Sequence, residues 1–146
     1  MKGYIALWAF RLFIAWTLSV APGALAETLF YCETEGGKKV EVQDLGSLIN
    51  YRFGKKLYDP EMELTLPRER ATTYQWPGAG PTESYSVFIP NGKIVYIVYT
   101  SRERRPGGEM ESGILVRAGG VELATINCKP DTLFEKLMGV DLPKER

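Results

Sequence analysis

The chain has 146 residues, with 18 basic and 18 acidic side chains, two cysteines and no histidine. Balanced charge without a concentrated basic stretch excludes a nucleic-acid partner held through phosphate contacts. The missing histidine excludes a Ser-His-Asp triad, a Cys-His nucleophile and any His-based metal site, so neither an enzyme nor a metal or other cofactor is expected.

The first segment reads as an export signal. Lys2 and Arg11 precede an apolar stretch over 12–21, and Pro22 and Gly23 stop a helix. Ala24-Leu25-Ala26 then puts small residues at the −3 and −1 positions of a cut before Glu27. The apolar stretch is about half of the roughly 20 residues that a bilayer span needs. Glu27, rather than a cysteine, follows the cut, so no lipid anchor is expected. Residues 1–26 are therefore expected to be removed, and 27–146 to form one domain that does not insert into a membrane. Losing Lys2 and Arg11 leaves that domain slightly acidic.

Along the domain, short strands alternate with turn residues. Residues 29–34 carry Cys32 and end at Gly36-Gly37. Residues 39–45 alternate Val40, Val42 and Leu45 with Lys39, Glu41 and Gln43, the period of a half-buried strand. Residues 48–53 and 61–66 repeat that period, separated by Gly54 and Asp59-Pro60. Residues 72–76 form a short aromatic strand before the Pro77–Pro81 loop, whose two prolines and two glycines forbid a helix. Asn91-Gly92 marks a tight hairpin between 84–89 and 93–100. Residues 94–99 are apolar on both faces, which predicts a central strand covered on both sides. A charged loop is predicted over 101–111, then a last hairpin, 113–117 with 121–128, around Gly119-Gly120. Asp131 as N-cap, the stripe Leu133, Phe134 and Leu137, and Gly139 as C-cap predict one short C-terminal helix. The expected fold is all-β: a single antiparallel sandwich or barrel of about eight or nine strands plus that helix. Cys32 and Cys128 are expected to form one disulfide, bringing the first and last strands together.

Two loops carry the chemistry of a contact surface. In the first, Tyr74 and Trp76 stand at a stiff Pro-Gly loop, where aromatic anchors lose little entropy on binding. The second holds Arg102, Arg104 and Arg105 beside Glu109 and Glu111, a set suited to pairing with carboxylates in a partner's cleft. Each also has a plainer reading, as core aromatics in one case and a solvated charged loop in the other.

An early Tyr31-Cys32, a β body and a closing Asn127-Cys128 resemble the periplasmic C-type lysozyme inhibitors of Gram-negative bacteria. Those proteins carry Ser-Gly-x-x-Tyr, matched here by Ser112-Gly113 with Val116 in place of Tyr. They also carry Tyr-x-x-x-Thr-Lys-Gly, matched by Tyr96 and Thr100, which Ser101 and Arg102 follow; the order of the two motifs is reversed. The chain is similar in type to the exported immunity proteins of type VI secretion systems as well. Both resemblances imply a periplasmic protein that occludes a peptidoglycan-acting enzyme, either an effector or a lysozyme. A ligand-binding barrel and an envelope structural module remain open.

Overall fold

The computed structural model describes residues 25–146, so the expected export signal lies outside the described residues except for Leu25 and Ala26. Ten strands form two five-stranded antiparallel sheets. The first sheet has the order β10-β1-β2-β3-β4. It comprises β1 (Glu27–Glu33), β2 (Lys39–Asp44), β3 (Leu48–Gly54), β4 (Met62–Pro67) and β10 (Phe134–Glu135). The second is a plain meander of β5 (Thr72–Gln75), β6 (Thr82–Asn91), β7 (Ile94–Glu103), β8 (Met110–Ala118) and β9 (Val121–Asn127).

Alternation in the sequence becomes inside and outside. Val40 and Val42 of β2, with Ile49 and Tyr51 of β3, are buried between the sheets, facing Val87, Ile89, Val98 and Ile114 of the second. Tyr51 stacks on Tyr96 across the interface, with ring centroids 5.4 Å apart. Each such side chain contributes about 1.5–3 kcal/mol on burial. The outer face of the first sheet is polar: Arg52 pairs with Glu41 through one terminal nitrogen while its buried Nε has no partner, and Asn50 donates to Glu63 and Thr65, both at 2.9 Å.

The Asn91-Gly92 turn is present, with Gly92 at φ 62°, in the left-handed region. It sets a register running without a bulge from Asn91↔Ile94 to Thr82↔Glu103. The hairpin extends further than the sequence predicted. β7 continues to Glu103 and β8 begins at Met110, so the charged loop shrinks to 104–109. β7 is the central strand of its sheet, as expected, but only its inner face is covered: no third layer lies over the outer one among the described residues.

Cys32 and Cys128 are bonded, with Cα atoms 5.7 Å apart. The bond ties β1 to the residue that follows β9, and so one sheet to the other. Thr34 and Cys128 also form an isolated β-bridge.

The predicted C-terminal helix is absent. Residues 130–132 make a single 3-10 turn, and Phe134 and Glu135 then form β10 against β1, with Phe30 opposite Glu135. The stripe of Leu133, Phe134 and Leu137 fits a helix, but β1 has an open edge whose backbone groups need partners. Pairing there outweighs a helix of barely two turns. Beyond β10 the tail runs across the end of the sandwich as a strap. Lys136 donates its N–H to Leu29, Leu137 is fully buried, and Thr73 of β5 donates to Pro143 while accepting from Glu145. One segment thus caps the edges of both sheets, and the strand count rises to ten.

Candidate functional site

The loops singled out in the sequence meet. In a meander, the β5–β6 and β7–β8 connections leave from the same end of the sheet, and here they touch. The indole N–H of Trp76 donates to the Ala79 carbonyl at 2.8 Å, folding residues 76–81 on themselves. The backbone N–H of Arg104 donates to Pro81 at 2.8 Å. Its guanidinium lies over the Trp76 ring, 4.5 Å from the centroid. The second loop is closed by the backbone N–H of Glu103 donating to the Glu109 carbonyl and that of Gly108 donating to the Arg105 carbonyl. It is tight enough that a Cβ at Gly108 would sit 2.1 Å from the Glu103 carbonyl oxygen, so only glycine fits. Arg105 pairs with Glu103.

Trp76 is half-buried, and its polar atom and one face are already used. It organises the loops as well as offering surface. Arg104, Arg105 and Glu109 are exposed on the second loop. The other sequence-predicted residues lie lower on the sheet and on different faces. Tyr74 is exposed on the outer face of β5, opposite Ser86, and Glu111 is exposed on the outer face of β8, opposite Ser101. Arg102 belongs to the opposite face, between Glu83 and Met110, with its guanidinium 3.5 Å from the Met110 sulfur. The seven residues therefore divide into a tip, an outer-face pair and one residue facing inward.

Arg102 opens onto a cleft of about 170 Å³ under the tip, where Glu83 and Tyr85 meet Glu135 and Met138 of the tail. The Tyr85 hydroxyl donates to Glu83 at 2.9 Å. Desolvation, the Glu83 hydrogen bond and the charges of Glu83 and Glu135 all push the Tyr85 phenol above its usual range. Sequence reasoning missed this cleft, because Glu135 and Met138 reach it only through the strap. The arrangement as a whole is a charged projection whose two loops are joined by the Arg104–Trp76 contact and the Arg104–Pro81 hydrogen bond, with a small polar cleft behind it.

No family model matches this chain, and no curated protein and no solved structure matches it.

Proposed function

We propose that the protein is a periplasmic inhibitor or immunity protein that blocks a peptidoglycan-acting enzyme, with the tip formed by residues 76–81 and 104–109 entering or covering the enzyme's cleft. The observation that carries this reading is the stacking of Arg104 on Trp76, which joins two loops into one preorganised projection. Preorganisation spares the ordering cost that a flexible loop meets on binding. The exposed guanidinium of Arg105 and carboxylate of Glu109 supply steering charge. The export-like N-terminus and the disulfide fit an oxidising compartment.

The test is inhibition. The purified protein, mixed with wall-degrading enzymes encoded beside it and with C-type lysozyme, should bind one of them stoichiometrically and suppress its hydrolysis of peptidoglycan. Reversing Arg104 and Arg105 to Glu should slow association and alter its salt dependence. Trp76→Ala should weaken binding about thirtyfold, the equivalent of about 2 kcal/mol. A folded protein that neither binds nor inhibits any of these enzymes overturns the reading.

A further inference from the structure

The apolar outer side of β7 has a structural use of its own. Phe88 stands opposite Ile97 and Pro90 opposite Val95 on the outer face of the second sheet. Ile97 is only 3 % exposed, yet it lies outside the cluster that fills the space between the sheets. These four side chains form the floor of a groove of about 340 Å³. One wall is Arg70 and the tail residue Glu145; the other is Arg117 with the Gly119-Gly120 turn. Sheet order puts the two arginines on opposite sides of the floor, because β6 and β7 lie between β5 and β8.

The charges of the walls are unequal. Neither Arg70 nor Arg117 takes part in an ion pair among the described residues. Glu145, the one acid of the groove, accepts a hydrogen bond from the Thr72 hydroxyl. An anion between the two arginines would gain charge-assisted hydrogen bonds.

We propose that this groove binds a hydrocarbon chain bearing an anionic head group, the chain lying on Phe88, Pro90, Val95 and Ile97 and the head paired with Arg70 and Arg117. The floor discriminates against a peptide. The backbone groups of β6 and β7 are committed to their ladder, so the floor presents carbon to an occupant. A peptide laid there would bury N–H and C=O groups without partners, at a cost that a hydrocarbon chain does not meet. The proposal stands apart from the inhibitory tip: Pro90, Val95 and Gly119 lie at the end of the sheet where β6 turns into β7, and the tip lies at the other.

Calorimetric titration of the purified, disulfide-bonded protein tests it, with dodecanoate below its micellar concentration, dodecanol as the neutral chain and acetate as the bare head group. Dodecanoate should bind one to one, at least tenfold more tightly than dodecanol, and acetate should not saturate. The double variant Arg70→Gln/Arg117→Gln, at exposed positions, should keep its fold by circular dichroism and bind dodecanoate no better than dodecanol. Val95→Ser should weaken both chains together. Phosphatidylglycerol vesicles separate a free amphiphile from a bilayer lipid: co-sedimentation lost in the double variant supports the same site with a membrane source. The proposal is overturned by absent saturable dodecanoate binding, or by dodecanoate or vesicle binding that persists unchanged in the double variant.

Discussion

Arg104 rests its guanidinium on the indole of Trp76, 4.5 Å from the ring centroid, although the two residues come from connections on either side of the β6–β7 hairpin. The contact depends on hairpin length. The hairpin register keeps Glu103 opposite Thr82, which puts Arg104 directly beside the end of the other loop.

The tip should therefore loosen as a unit. An exposed cation–π contact is worth about 0.5–1 kcal/mol, so Arg104→Ala should barely move the melting temperature. It should nevertheless speed amide hydrogen exchange in both 77–81 and 104–109. Acceleration confined to 104–109 would show that the loops are held independently.

The disulfide should carry a larger share of stability. Both cysteines are buried and stand 96 residues apart in the chain, so the reduced, unfolded chain regains the entropy of a long loop. Cys32→Ser with Cys128→Ser should cost about 2–5 kcal/mol, read from urea midpoints. A change below about 1 kcal/mol would show that the sheets hold together without the link.

The strap should matter as much as a core strand. Leu137 is fully buried, and Gln75 fixes the backbone just after it, donating to the Leu137 carbonyl and accepting from the Gly139 N–H. Leu137→Ala should cost about 2–5 kcal/mol through lost burial and a residual cavity, again in urea. Gln75→Ala should cost less and should raise exchange of the Gly139 amide.

Stability should fall at both ends of the pH scale, for different reasons. The hydrogen bond and charge of Lys129 hold Glu33 below the usual carboxylate range, and Lys38 does the same for Glu61. Their contribution is complete above about pH 4.3, where the unfolded carboxyls are ionised too, and is lost as pH drops through the lowered folded values. Lys129 is raised by the same pair, so its contribution is complete below about pH 10.4 and disappears as pH rises through its folded value. Burial, aided by Tyr96, pushes the Tyr51 phenol far up, so the unfolded state alone releases that proton above about pH 10 and gains population. Urea midpoints from pH 2 to 11 should show Lys129→Met flattening the acid limb and Tyr51→Phe flattening the alkaline one.

Alternation made the first sheet legible, because one of its faces is dry and the other polar: Val40 and Val42 against Glu41 and Gln43 leave one register that works. Asn91-Gly92 likewise marked its hairpin. The C-terminus was not legible, because Leu133, Phe134 and Leu137 satisfy a helical period and nothing local reveals that β1 lacks a neighbour. For the site, the types of Trp76 and Arg104 stood out in sequence, but their contact follows from meander order, which local patterns do not encode. Ile97 and its neighbours gave a real signal, a strand apolar on both sides, whose outer half belongs to a groove instead of a second layer.

The strap also sets an order of events. A chain emerging from a ribosome delivers β6, β7 and β8 as neighbours in sequence, ready to pair at once, whereas the residues that close β1 and β5 come out after all of them. Until then two strand edges stand bare, the state in which β proteins pair with one another and aggregate. Closure thus waits on residues 134–145, which follow every strand that they seal: a stop codon ahead of Phe134 would leave both edges permanently bare.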